Sequence, residues 1–257
     1  KIMAYSSITK PGDYFNTKLY TGDGTSSNAI TGVGFQPDWV WIKDRSATAN
    51  HMIYDVIRGV QVRLSSNLTN ADGTDTNGLS SFDSDGFTLG DKGALNTNTN
   101  LYASWNWLAG GSASSNTDGS ITSNVSVNQT AGFSIVSYTG TGANATIGHG
   151  LGVAPSMIIN KCRSAGQNWA TYHASLGGTK ALFLDGTSAA TTSSSYFNNT
   201  DPTSSVFSVG NSGDTNLSSG THISYCFAEI PGYSKFGSYS GNQNADGTFV
   251  YTGFKPA

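Results

Sequence analysis

Charged residues are scarce in this sequence: Asp, Glu, Lys and Arg together make up 11% of its 257 residues, under half of the roughly 25% usual in soluble domains. Glutamate is nearly missing, with Glu229 the single example. Glu favours helix, whereas Asp, Asn, Ser and Gly bond to local backbone and compete with it, so very little helix is expected. The net charge is −3 without any cluster of Lys and Arg. That excludes a nucleic-acid partner, since neutralising phosphates requires grouped cations. No apolar run approaches the ~20 residues needed to span a bilayer, so membrane insertion is not expected. No signal peptide is visible, and a chain opening on Lys1 is expected to have been processed or excised from something longer. Two cysteines, Cys162 and Cys226, are too few for a disulfide framework. They pair in an oxidising compartment or, on the favoured reading, stay as buried free thiols.

Gly (32 residues), Ser, Thr and Asn fill the gap left by charge. A surface kept soluble by hydroxyls and amides is common in secreted fibres, adhesins and virion parts. The chain also repeats itself, and that decides the reading. Tyr20-Thr21-Gly22 recurs as Tyr138-Thr139-Gly140 and as Tyr239-Ser240-Gly241. Gly34-Phe35-Gln36-Pro37 recurs as Gly152-Val153-Ala154-Pro155 and as Gly253-Phe254-Lys255-Pro256, with Tyr and Pro seventeen residues apart in all three copies. The first two copies stay in register for longer. Lys43, Arg45, Tyr54 and Gly59 match Lys161, Arg163, Tyr172 and Gly177 at an offset of 118. Phe87, Gly90 and Trp105-Asn106-Trp107 match Phe207, Gly210 and Tyr225-Cys226-Phe227 at an offset of 120.

Between Gly, Asn, Asp and Pro punctuation the apolar residues alternate or form short runs, which reads as strands. The second copy has them at 133–138, 145–149, 156–162, 169–174, 181–184, 206–209 and 222–228. The first copy gives the same set, with 39–43, 52–55, 61–64, 87–89 and 102–107 the clearest and a helical turn at 55–60. About seven strands in about 100 residues is the pattern of a sandwich or jelly roll. The expected fold is all-β: two tandem antiparallel, jelly-roll-like β-sandwich repeats plus the start of a third. The expected division is an N-terminal lead 1–14, repeat one 15–111, a Gly/Ser/Asn-rich connector 112–131, repeat two 132–233 and an incomplete third repeat 234–257. The connector is expected to allow freedom between the units, with at most an edge strand from Ile121, Val125 and Val127. A cut third unit cannot bury its own apolar face, so 234–257 is expected to pack on a neighbour or to be disordered in isolation. A fragment of a longer array is the favoured explanation.

Candidate sites are few. Trp39/Trp41 and Trp105/Trp107 are i,i+2 pairs, so each pair points to one face of its strand. They form either a sugar-stacking platform or core. The second copy carries Met157/Ile159 and Tyr225/Phe227 there, apolar but not sugar-stacking as a set, which favours core. Lys43/Arg45 and Lys161/Arg163 are an anionic-glycan contact or, as favoured, strand ends emerging into solvent. Asp83/Asp85 and Asp72/Asp75 look like pieces of calcium loops but lack the bidentate Glu of an EF-hand, so turn chemistry is favoured. His51, His149, His173 and His222 show no metal-ligand spacing. Gly140-x-Gly142-x-x-Ala145 matches a dinucleotide fingerprint formally, but a strand follows where the pyrophosphate-binding helix is required. No Ser sits in a Gly-x-Ser-x-Gly elbow, and no carboxylate pair stands out. Catalytic, cofactor-binding and metal residues are therefore none, with no cofactor, and any ligand-binding residues stay open.

Four stretches carry a resemblance: Gly32-Val-Gly-Phe-Gln-Pro-Asp-Trp-Val-Trp-Ile-Lys-Asp-Arg45, Phe133-Ser-Ile-Val-Ser-Tyr-Thr-Gly-Thr-Gly142, Gly148-His-Gly-Leu-Gly-Val-Ala-Pro155 and Tyr225-Cys-Phe-Ala-Glu-Ile-Pro-Gly-Tyr-Ser-Lys-Phe236. They resemble recurrent motifs of tandem-repeat, tail-fibre-like virion structural proteins of marine bacteriophages, over nearly the whole chain. The resemblance implies a non-enzymatic virion part (tail fibre, spike or decoration component) located on the extracellular particle. Implied partners are other virion proteins, further copies of the chain with a trimer favoured, and a host surface glycan. The alternative is an extracellular carbohydrate-binding or adhesin module.

Overall fold

Strand exceeds helix by 37% to 6%, and all sheet pairings are antiparallel apart from an isolated Ile121–Ile147 bridge. The chain is all-β. The structure, a computed structural model, describes residues 6–255. The start of the expected lead, 1–5, and the Pro256 of the third motif copy lie outside the described residues.

Two large sheets organise the molecule. The first runs in the order Phe15–Thr21, Leu101–Trp107, Trp39–Asp44, Met52–Asp55. The second has eight strands, with Phe133–Thr139, Thr221–Phe227, Met157–Cys162 and Trp169–His173 in the corresponding central order. On the inner face of the first sheet, Val40, Ile42, Met52, Tyr54 and Tyr102 pack against Ile30, Leu79, Phe87 and Leu89 of a three-stranded sheet. On the inner face of the second, Val136, Tyr138, Ile158 and Cys226 pack against Ile147, Phe207 and Val209 of a two-stranded sheet. Period-two alternation sends every second side chain into these two interiors and the others outward.

The recurrent motifs have a shared structural reason. Tyr20 Oη donates to Leu95 O (2.9 Å) and Tyr138 Oη to Thr215 O. A Cβ on Gly22 would lie 2.2 Å from Thr97 O, and one on Gly140 2.3 Å from Leu217 O, so only glycine lets the chain pass there. A buried amide closes each loop. Asn96 Nδ2 donates to Gly90 O and Thr25 O, as Asn216 Nδ2 does to Gly210 O and Ala143 O. The stacked pair Tyr20–Tyr102 (5.0 Å, 11°) corresponds to Tyr138–His222 (5.1 Å, 9°).

Two expectations need correction. The connector 112–131 is built into the second sheet, because Ser114–Asn116 and Ser123–Asn128 pair in it and Val125 enters its core. The junction is not free either, since the outer faces of the two large sheets pack on each other. Trp39, Ile53 and Leu64 of the first meet Phe133, Ile135, Ile159, Trp169, Ile223 and Tyr225 of the second in one buried cluster. Beyond Ser234 the described part of the third copy contains no strand. Tyr233 and Phe236 fold over the boundary between the units, whereas Tyr239, Phe249, Val250 and Tyr251 are exposed. The 55–60 turn is present as a hydrogen-bonded turn, Gly59 N–H donating to Asp55 O.

Candidate functional site

The indoles divide by environment. Trp39 is 1% exposed, while Trp41, Trp105 and Trp107 are half-buried. The core reading therefore holds for Trp39, but its core lies between the two units, not inside one. Trp39 packs on Trp107 at 4.3 Å, and Phe15 on Trp107 at 4.8 Å. Where the two outer faces splay apart, they leave an open hollow of about 270 Å³. Phe15, Trp41 and Trp107 form one wall, Phe133, Met157 and Phe227 the other, and Tyr233 and Phe236 close it. A second hollow of about 270 Å³, lined by Trp41, His51, Trp105 and Trp107, adjoins it through the shared Trp41 and Trp107. The two make a single aromatic trough.

The trough carries little polarity. Trp41 Nε1 donates to His51 Nδ1 at 3.0 Å, so in the neutral ring Nε2 carries the proton. Burial, with Lys43 nearby, lowers the His51 pKa and keeps that ring uncharged. Trp39 Nε1 is buried and finds no acceptor among the described residues. Among the described residues no carboxylate lines either hollow. Such walls suit stacking and apolar contact with one or two donors. Trp41 and Trp105 stand edge to face at 71°, so they form a corner rather than a flat platform.

The other candidates have structural partners. Lys161, expected at a strand end in solvent, is fully buried, its Nζ donating to Thr69 O of the first unit (2.8 Å) and Gln167 O (2.6 Å). Burial lowers its pKa. Arg163 pairs with Asp72 across the units at 2.8 Å. Lys43 Nζ donates to Asp44 O, and Arg45 is exposed. Asp75 accepts from Lys92 and Tyr54, Asp83 from Thr88, and Asp85 from the backbone of Gly32 and Gly34. Among the described residues no three His, Cys, Asp or Glu side chains come close enough to hold a metal ion. His149 accepts from Leu151 N–H, His173 from Ser175 N–H and His222 from Leu217 N–H. Cys162 and Cys226 are buried and free, and burial raises the Cys226 pKa.

Residues 10–257 match the family described as a domain of unknown function, DUF7483. The chain belongs to the DUF7483 family. Comparison with curated proteins and with solved structures gave no match. In this DUF7483 chain, sequence reasoning missed two features of the site. Phe15 and Phe236 were not singled out as trough residues, although Phe15 matches Phe133 at the repeat offset of 118. The buried Asp55–Arg58 pair, which holds Tyr225 of the other unit through Asp55 Oδ2 (2.8 Å), was also missed. An acid and a base three residues apart in an otherwise charge-poor chain were the available signal.

Proposed function

We propose that this chain is a non-enzymatic structural component of a phage virion, of tail-fibre, spike or decoration type, that contacts its surroundings through the aromatic trough. The observation carrying this reading is a trough walled by half-buried indoles with no carboxylate beside them, an arrangement for holding rather than for reacting. The charge-poor composition and the resemblance of its motifs to those of marine-phage virion proteins support the virion setting, and the proposed partners are other virion proteins, further copies of the chain in a trimer, and a host surface glycan. Mass spectrometry of purified particles tests it. The chain should be recovered with them at a stoichiometry fixed by the particle, and its absence from intact particles would overturn the reading.

A carbohydrate-binding or adhesin module outside a virion is the second reading, favoured by the His51 imidazole lining the hollow beside Trp41 and Trp105. Sugar recognition needs hydrogen bonds as well as a stacking ring, and the trough offers few. A glycan array read with tryptophan fluorescence tests the trough as a sugar site, and the particle analysis separates the readings. Binding lost in Trp105→Ala at an unchanged melting temperature, by a chain absent from particles, would support the module.

A further inference from the structure

The Phe15–Thr21 strand lies at an end of its sheet, and its register fixes which backbone groups are unpaired. Gly22 N–H donates to Asn100 O and Leu108 N–H to Tyr14 O. Alternation along an antiparallel pair then turns the N–H and C=O of Asn16, Lys18 and Tyr20 toward Leu101–Trp107, and those of Phe15, Thr17, Leu19 and Thr21 toward the open edge, where the Thr17 N–H is held by Asn16 Oδ1 at 3.0 Å and would exchange that exposed partner for an added strand. Among the described residues no strand pairs with that edge. The corresponding Phe133–Thr139 strand is covered. There Phe133, Ile135 and Ser137 pair with Asn128, Ser126 and Asn124 of the added Ser123–Asn128 strand. These three positions are the equivalents of Phe15, Thr17 and Leu19. The fold thus contains one edge completed by an extra strand and a copy of the same edge without it.

A matching segment exists elsewhere in the chain. Thr248-Phe249-Val250-Tyr251-Thr252 is wholly β-branched and aromatic, the composition that favours strands, yet it belongs to none. Phe249 is 86% and Tyr251 73% exposed. Leu19 is 60% and Leu101 46% exposed on the outer face that also carries Trp105. An open edge and an exposed apolar run are each association-prone.

We propose that residues 248–252 of one copy add as an antiparallel strand to the outer edge of Phe15–Thr21 in a second copy. With Phe249 opposite Leu19 and Tyr251 opposite Thr17, both rings lie over the Leu19, Leu101 and Trp105 face. The contact joins two different surfaces, so copies add head to tail, closing into a ring such as the proposed trimer where the rotation closes and growing open-ended where it does not. This goes beyond the virion reading and does not depend on it.

Sedimentation velocity on the full chain tests the inference through two variants that block opposite ends. Leu19→Pro removes an N–H directed at the open edge and leaves the ladder to Leu101–Trp107 intact. A Phe249→Asp/Tyr251→Asp chain changes only exposed side chains. The parent chain should associate with rising concentration, and each variant alone should remain a monomer. Their equimolar mixture should form a dimer and stop there, since only one productive contact is left. If Leu19→Pro fails to fold by circular dichroism, Leu19→Asp takes its place. A parent chain that stays monomeric, variants that associate like the parent, or a mixture that stays monomeric would each overturn the proposal.

Discussion

Trp39 stacks on Tyr225 across the boundary between the two units, with ring centroids 4.3 Å apart and planes 23° apart. Trp39 is equivalent to Met157, and Tyr225 to Trp105, so the units meet through the same face of each. On the second unit that face is sealed around Ile135, Ile223 and Tyr225, each at 0% exposure. On the first it is sealed around Trp39, Ile53 and Leu64. The aromatic trough is the uncovered remainder of a face-to-face contact, walled by Trp41 and Trp107 on one side and Phe133, Met157 and Phe227 on the other.

The contrast sets the effect of each indole on stability. Trp39→Ala should cost about 3–5 kcal/mol, the range for a large aromatic removed from a close-packed core. Trp105→Ala should cost less than half as much, because its ring is already partly in water. Urea unfolding followed by circular dichroism measures both. Equal losses would mean that Trp105 is as deeply packed as Trp39.

The same boundary contains a fully buried ion pair. Arg58 bonds Asp55 and donates to Ile53 O and Val62 O at 2.9 Å each, while Tyr225 donates to Asp55. Burial opposes the Arg58 charge, but Asp55 beside it outweighs this and holds the guanidinium protonated. Arg58→Met leaves Asp55 without its counter-charge in the interior and should cost about 3–5 kcal/mol. Tyr225→Phe removes the bond donated to Asp55 and the longer one accepted from Arg58 Nη2 (3.4 Å), and should cost about 1.5–3 kcal/mol. A double-mutant cycle of Tyr225→Phe with Asp55→Asn should show coupling, and strict additivity would sever the cross-unit link.

Local pattern and long-range packing were legible to different degrees in the sequence. The strands at 39–43 and 52–55 occur as Trp39–Asp44 and Met52–Asp55, since alternation and turn residues act over a few positions. The indole pairs were correctly placed on one face of their strands. Which partner that face meets is a long-range property that periodicity does not encode, so Trp39 and Trp105 looked alike. Lys161 shows the same limit. Its burial depends on the Thr69 carbonyl, 92 residues away, and no local rule distinguishes it from half-buried Lys43.

Asn96 offers a test of the repeated loop closure. Its Nδ2 also donates to Asp23 Oδ1, and its Oδ1 accepts from Asp23 N–H and Asn28. Asn96→Ala leaves several buried or half-buried groups without partners, and should cost about 2–4 kcal/mol. Asn216→Ala should behave alike in the second unit. A chemical denaturation series gives both numbers, and a loss below about 0.5 kcal/mol, the size of ordinary surface changes, would remove Asn96 from the framework.

His222 makes the fold sensitive to acid. It is fully buried, accepts from Leu217 N–H through Nε2, and is held by burial, then by the nearby Lys161 charge, at a pKa of about 4. In the unfolded chain an imidazole titrates near 6.5. Between these values the unfolded state binds a proton that the folded state refuses. The stabilisation is therefore fully present above about 6.5 and is lost as pH falls toward 4, by roughly 3 kcal/mol for a gap of that size. Asp23, Asp44 and Asp85, whose pKa values lie below the usual carboxylate range, add a loss in the same direction at lower pH. The first unit supplies the control. Tyr102 occupies the equivalent position and meets Thr97 N–H with its hydroxyl at 2.9 Å, without a group that titrates in this window. His222→Tyr should accordingly reduce the fall in stability between pH 4 and 6.5 while keeping the bond to Leu217, leaving the share that comes from His51 and His149, whose pKa values burial also lowers. Denaturant midpoints measured across that window decide it: an unchanged slope in the variant would assign the acid sensitivity to other groups.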